Sequence, residues 1–390
     1  MTETHEFLMP DYYPAFQCKM GACRRACCEG WPVSVTMENY FRLLGVSCAP
    51  DLRRRLDTAL HLAPHPDTER YAVISPRWDG NCPLRAEDGR CALQLELGEE
   101  ALADVCRLYP RGVRSENGAY ECSCSCSCEG VLELLLRRPG PIRFLRKTLT
   151  TLVPGSAERH IFFDTFGHES ELRQLYADIL QDDSHPLSER LSVLGEVLSR
   201  TEQALAAHSA DAVERLLSAP LPAPLFLPAD VTEDQLLFGL SAAEGMLGLL
   251  DEKSESIRSF GEQALSYFRA ASDPLEAYRA ADAHFSALLP NWEEFFSKML
   301  VNHNFFVRFP FQDRPEGMID EFCALCCIYG LLRFLSLGVM AEEDDLSRAI
   351  DVCAAAFRLI DHTDFDRNAL YLLHRHDCVT QERLTDLISL

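Results

Sequence analysis

Residues 9–31 read MPDYYPAFQCKMGACRRACCEGW and place four thiols, Cys18, Cys23, Cys27 and Cys28, within eleven positions. Packing alone does not need that density. More follow: Cys82 in CPL, Cys91 in GRCAL, Cys106 in CRLYPR, and Cys122, Cys124, Cys126 and Cys128 in ECSCSCSCEG. Of 17 cysteines, twelve fall within residues 1–128 and five in the remaining 262. That asymmetry predicts a mostly α chain in two parts. A small, loop-rich α+β, cysteine-rich metal-binding module spans residues 1–140, and a larger all-helical domain spans residues 141–390.

The opening MTETHEFLMPDYY has no basic segment followed by an apolar run, so no secretory signal is expected. The thiols then belong to a reducing, cytoplasmic setting, where they serve as thiolate ligands rather than as a disulfide framework. The composition is that of a globular protein, 47% hydrophobic and 25% charged over 390 residues. No window approaches the roughly 18 uninterrupted apolar residues of a membrane span, so no membrane partner is expected. The net charge of −23 opposes any general binding of phosphate backbones, which excludes nucleic acid as the expected partner.

Pro10 and Pro14 make residues 1–17 an extended lead-in. A short strand and a helix capped by Thr36 and ending at Gly45 follow. Residues 51–62 read as a helix, 71–78 as a strand, 81–90 as a turn-rich loop, 98–108 as a helix stopped by Pro110, and 129–138 as a helix. Beyond that, apolar residues recur at three- and four-residue spacing in 141–152, 168–180, 187–217, 232–250, 254–271, 274–288, 291–304, 318–337, 343–360 and 366–374. The proline-rich connection 219–228 interrupts them.

Thiolate sulfur suits zinc and iron–sulfur clusters, and either takes about four ligands. The spacing Cys-x4-Cys-x3-Cys-Cys, then Cys-x8-Cys-x14-Cys, is neither a zinc ribbon nor a ferredoxin run. Nor is it the Cys-x3-Cys-x2-Cys of radical enzymes, because position 30 is Gly. Adjacent side chains diverge, so Cys27 and Cys28 do not comfortably share one cluster; one of them serves a second metal or packs. In the alternating run all four thiols face one way on a strand, which makes either a thiol-rich wall of a site or one ligand with three small buried residues. Cys323, Cys326 and Cys327 read as a buried core helix, Cys48, Cys353 and Cys378 as structural, and His374, His376 and Asp377 as a polar helix end. No phosphate loop, dinucleotide fingerprint or Gly-x-Ser-x-Gly elbow is present.

Several blocks resemble the flagellin lysine-N-methylase family. They are Pro10-x-Tyr12-x3-Phe16-x-Cys18, Cys23, Cys27-Cys28-x-Gly30-Trp31, Cys82-Pro83-Leu84, Asp88-Gly89-x-Cys91, Cys106-Arg107-x-Tyr109-Pro110-Arg111 and Ser127-Cys128. In the second half the matching block is Leu300-Val301-Asn302-x2-Phe305-x3-Phe309-Pro310-Phe311. The first three are shared with a broader group of zinc- or iron-chelating proteins, whereas the 300–311 block is specific to the methylases. The chain departs from the family pattern at Cys122, Cys124 and Cys126, at Glu129-Gly130, and at His303 and Asn304.

The resemblance implies a cytoplasmic enzyme that methylates surface lysines of flagellin before export. It implies S-adenosylmethionine as donor and a [4Fe–4S] cluster, with zinc as the alternative. The expected ligands come from Cys18, Cys23, Cys27, Cys28, Cys82, Cys91, Cys106 and Cys128. Tyr12, Tyr13, Trp31 and Asn302 are candidates for the donor pocket; no catalytic residue is assigned. Two other readings stay open: a non-enzymatic iron or zinc carrier or adaptor, and a redox sensor that uses Cys27 and Cys28.

Overall fold

Strand β1 (Thr2–Pro10) takes the place of the extended lead-in and becomes the central link of a sheet in the computed structural model. The structure describes residues 2–116, 118–154, 162–225, 230–249, 255–312 and 316–390. Positions 226–228 of the proline-rich connection and the helix-end positions 250 and 254 lie outside the described residues. Among the described residues there are sixteen α-helices and seven strands, so the chain is mostly α. It divides into two units, one built mainly on residues 2–131 and 144–154, the other mainly on 132–143 and 162–390.

After β1, the first unit runs β2 (Val33–Val35), α1 (Met37–Gly45), α2 (Pro50–Ala59), β3 (Leu60–Leu62) and β4 (Ala72–Ile74). It continues with α3 (Ala92–Leu97), α4 (Asp104–Leu108), β5 (Arg111–Glu116), β6 (Ala119–Cys124), α5 (Glu129–Arg137) and β7 (Phe144–Leu152). One sheet has the order β5-β6-β1-β7, with β1 parallel to β6 and antiparallel to β7. The other has the order β2-β4-β3. A small core sits beside the second sheet, formed by Val35, Leu43, Leu52, Leu56, Ile74, Leu84, Leu93 and Leu102.

Thr36 caps α1 as expected, its hydroxyl accepting the Asn39 N–H. The helix expected over 51–62 stops at Ala59, because Leu60–Leu62 pairs with β4. The helix expected over 98–108 breaks at Leu102-Ala103, where both side chains turn into the core. The largest correction falls on 141–152, which is strand β7 rather than helix. Its apolar spacing fits a helix, but Thr148, Thr150 and Thr151 are β-branched, and β1 pairs with it along all nine residues.

The helical unit comprises α6 (Glu169–Gln181), α7 (Leu187–Ala206), α8 (Ala210–Ser218), α9 (Glu233–Gly248), α10 (Glu255–Ala270) and α11 (Pro274–Leu288). Then come α12 (Trp292–Val307), α13 (Met318–Met340), α14 (Leu346–Ile360), α15 (Phe365–Arg375) and α16 (Gln381–Ile388). The segment expected as one helix over 187–217 breaks at His208, whose φ is +50°. Helix α16 has no counterpart in the sequence reading.

Helix α13 is buried along nearly its whole length and packs against α7, α9, α11, α14, α15 and α16. It is long and apolar enough to cross a membrane, yet it lies wholly inside the unit. Cys323, Cys326 and Cys327 are buried on it. The buried Lys298 ammonium donates to the Leu135 and Arg138 carbonyls at 3.4 and 2.5 Å, capping the C-terminal end of α5, and pairs with Glu294 at 2.7 Å.

Candidate metal centre

The thiol loop of residues 18–28 is anchored from its far end by one carboxylate. Glu129 opens α5 and is buried. Its two oxygens accept the backbone N–H of Arg24 at 3.2 and 3.1 Å and that of Arg25 at 3.3 Å. Lys19 Nζ donates to it at 2.7 Å. Cys128, the residue before Glu129, is thereby brought beside Cys23 and Cys18. Burial pushes the Cys23 thiol up to about 11, with Glu129, Cys128 and Cys18 adding to the rise. Cys128 is also raised by burial, and next to it stand Cys18 and Glu129.

A second neighbourhood forms around Cys82. The Cys82 N–H donates to the Cys28 carbonyl at 2.9 Å, and Gly30 N–H to Gly80 at 2.8 Å, which lays the loop alongside the 80–82 turn. Arg85 and Cys91 form a β-bridge, which brings the next thiol back. Burial raises Cys82 to about 11, and Cys28 and Cys91 are the thiols that add to this. Cys106, on α4, is exposed, and its thiol neighbours are Cys91, Cys82 and Cys28.

Cys27 joins the two neighbourhoods. Its thiol shares a hydrogen bond with Cys28, and it also feels Cys106 and Cys18. That bond, against the cost of burial, and the nearby Arg85 hold Cys28 down at about 7, while Cys27 is raised.

The rest of the cysteine-rich run is interior. Cys122, Cys124 and Cys126 are fully buried, and the strand ends at Cys124. The Tyr12 hydroxyl lies 3.4 Å from both the carbonyl oxygen and the amide nitrogen of Cys124. Tyr13 is buried beside Cys122, with the Arg111 guanidinium 5.9 Å from its ring. Trp31 donates its indole N–H to the Cys27 carbonyl at 2.8 Å and so braces the loop. Asn302 is fully buried on α12 of the helical unit.

By donor type these thiols fit a soft metal: eight of them lie in one small unit, and the raised ones would lose their protons to a bound cation. In separation they are neighbours only. Among the described residues, no group of three or more His, Cys, Asp or Glu side chains stands in an arrangement that could hold a metal ion. A bound metal would therefore draw the thiols inward.

Two features were not singled out from sequence. Glu129 was noted only as a departure from the family pattern; its position directly after Cys128, at a helix start, was the available signal. In the helical unit, His303 on α12 pairs with Asp361 at 2.8 Å, both side chains buried. Three consecutive polar residues, Asn302, His303 and Asn304, between the apolar 299–301 run and Phe305 were the signal there.

The loops of residues 18–28 and 82–91 meet backbone to backbone at two glycines. A Cβ on Gly89 would sit 2.6 Å from the Gly21 carbonyl oxygen, and φ there is +84°. Gly89→Ala is expected to cost about 1–2 kcal/mol for the left-handed backbone alone, and more for the clash. Gly140 is also at positive φ, +69°, with nothing within 4 Å of an added Cβ, so Gly140→Ala carries a backbone cost only. Melting temperatures of the two variants measure the difference; equal losses would show that the glycine contact contributes nothing.

Comparison with known proteins places a family model, the FliB lysine N-methylase C-terminal domain, on residues 173–382, more than half of the chain. A lysine-N-methylase of Salmonella typhimurium is 27% identical over 140 residues, 36% of this chain and 35% of that protein. One from Salmonella choleraesuis matches to the same extent. The flagellar biosynthetic protein FliU of Salmonella muenchen is 28% identical over 102 residues, 26% of this chain and 60% of that protein. The chain thus spans about a third of the length of the two lysine-N-methylases that it matches. No solved structure matches it.

Proposed function

We infer that this chain, which belongs to the FliB lysine N-methylase family, is a protein-lysine N-methyltransferase acting on flagellin in the cytoplasm before export, with S-adenosylmethionine as methyl donor. The observation that carries the reading is the match of residues 173–382 to the lysine N-methylase C-terminal domain. The thiol-bearing unit supports a dependence on a [4Fe–4S] cluster whose ligands come from Cys18, Cys23, Cys27, Cys28, Cys82, Cys91, Cys106 and Cys128.

The chemistry sets the demands on the protein. A free lysine has a pKa near 10.4, yet only the neutral amine attacks the sulfonium methyl. The site has to desolvate the ammonium or place a base beside it. Alignment of nitrogen, methyl carbon and sulfur in one line supplies much of the acceleration. The net charge of −23 favours encounter with a lysine-bearing surface. When bound, a cluster held by three thiolates offers an open iron for the amino and carboxylate groups of the donor, and one held by four is structural or carries electrons. Tyr12, Tyr13 and Trp31 in the thiol-bearing unit, and Asn302 in the matched domain, are each candidates for contact with the donor.

The test is anaerobic purification with iron and sulfide assay, followed by labelled S-adenosylmethionine and flagellin. Iron–sulfur absorption and label on flagellin lysines are expected. Bound metal without transfer would favour a carrier or adaptor.

A further inference from the structure

We propose that the surface cavity between α2, β3 and the segment leaving β4 binds the phosphate group of a small ligand of the nucleotide class, with Trp78 beside it stacking on the ligand's planar ring. The proposal goes beyond methyl transfer, because S-adenosylmethionine carries no phosphate.

The cavity measures about 480 Å³, the size of a small-molecule site. Helix α2 brings Arg55 and Thr58 to it, β3 brings His61, and the chain leaving β4 brings Ser75 and Arg77. Backbone bonds hold these segments together. Strands β3 and β4 pair antiparallel with His61 opposite Val73, and the Ser75 N–H donates to the Ala59 carbonyl at 3.1 Å.

The lining is basic. Two guanidinium groups, an imidazole and two hydroxyls face the cavity, and no acidic side chain of the described residues does. Arg55 meets Asp51 at 3.1 Å, but Asp51 is exposed and also holds Arg54 at 3.2 Å. Arg77 meets the exposed Asp79 at 3.3 Å. Pairs this exposed contribute little, so an incoming anion competes with them. Among the described residues, the side chains of His61 and Ser75 have no hydrogen-bond partner. In a chain of net charge −23 such a lining is an exception. Arg77 also borders a second cavity, but Glu87 and Asp88 line that one. One guanidinium fork satisfies the two oxygens of a carboxylate, whereas a phosphate has a third oxygen and a further charge for the second fork.

The ring follows from Trp78, whose side chain is 98% exposed. The turn that carries it is tightly bonded. The Arg77 N–H donates to the Asn81 carbonyl at 2.8 Å, the Gly80 N–H to the Arg77 carbonyl at 2.9 Å, and the Asn81 N–H to Asp79 Oδ1 at 3.0 Å. An ordered turn thus holds an indole in water directly after a lining arginine. That indole buries nothing and so adds nothing to folding, but its face is suited to stacking on a base.

The experiment titrates the full chain at low salt with AMP, inorganic phosphate and tetraglutamate, by calorimetry and by acrylamide quenching of tryptophan fluorescence. AMP is expected to bind more tightly than phosphate and to shield an indole from acrylamide, a signal that Trp78→Phe removes. Trp78→Ala should weaken AMP about tenfold and leave phosphate unchanged. Arg55→Ala/Arg77→Ala should weaken both about a hundredfold. Both arginines reach solvent, so the variants should melt with the wild type. Absence of binding and shielding in the wild type, or binding that the arginine variant retains, would overturn the pocket. Equal AMP affinity in the wild type and Trp78→Ala would overturn the ring-bearing class. Tetraglutamate binding tighter than either phosphate probe would reassign the cavity to an acidic peptide. No arm reads methyl transfer, so this proposal and the methylase reading fail separately.

Discussion

Glu129→Ala is expected to release residues 18–25 and, on the proposed iron–sulfur reading, to strip most of the metal from the thiol-bearing unit. The buried carboxylate takes the Arg24 N–H between its two oxygens, the Arg25 N–H on one of them and the Lys19 ammonium, so one side chain gathers three donors of the loop that supplies Cys18 and Cys23. Hydrogen bonds to a charged acceptor contribute about 1.5–3 kcal/mol each, and removing one partner of a buried pair costs about 3–5 kcal/mol. The loop N–H groups can regain water once the loop lifts, so about 3 kcal/mol is the expected size. Glu129→Gln keeps the shape and one acceptor oxygen and should lose less. Metal per chain after gel filtration, together with tryptic cleavage at Lys19, Arg24 and Arg25, reads both effects. Unchanged metal and cleavage in the alanine variant would show that the loop is held by other contacts.

The division into a thiol-bearing part and a helical part was legible because cysteine usage and helical spacing are both local signals. So were Thr36 as a cap and helices α11 to α15, whose apolar residues repeat over several turns. What sequence could not supply was pairing over distance. Strand β7 carries helix-compatible spacing and becomes a strand only because β1, more than 130 residues earlier, offers an edge along its length. The split of a long helix at His208 comes from one residue at positive φ, which periodicity does not register. At the thiols, residue types and rough number were plain, but their grouping was not. Cys82 and Cys28 are 54 positions apart and meet through a backbone hydrogen bond, and Cys128 meets Cys23 through Glu129. Such grouping depends on where loops return, and the spacing of the cysteines does not encode it.

Asp361→Ala is expected to cost about 3–5 kcal/mol, the usual penalty for leaving one member of a buried pair without the other. His303 Nδ1 lies 2.8 Å from Asp361 Oδ1, with 2% and 0% of the two side chains exposed, and Phe357 stands 5.8 Å away. Burial alone would lower the histidine. The hydrogen bond and charge of Asp361, joined by Asp366 and Glu321, outweigh it and raise the imidazole above its ordinary value. A raised pKa in the folded state means that the folded protein holds the proton more tightly than the unfolded chain. The stabilisation is therefore fully present below the unfolded value near 6.5, and it is lost as pH rises through the folded value. The melting temperature of the wild type should fall across that window, and His303→Gln should flatten this part of the profile while lowering stability at acid pH most. Asp361→Asn should do the same, because the amide keeps the shape but not the charge. A profile for His303→Gln that runs parallel to the wild type at every pH would show that His303 gains no charge in this pair and contributes packing and a neutral hydrogen bond.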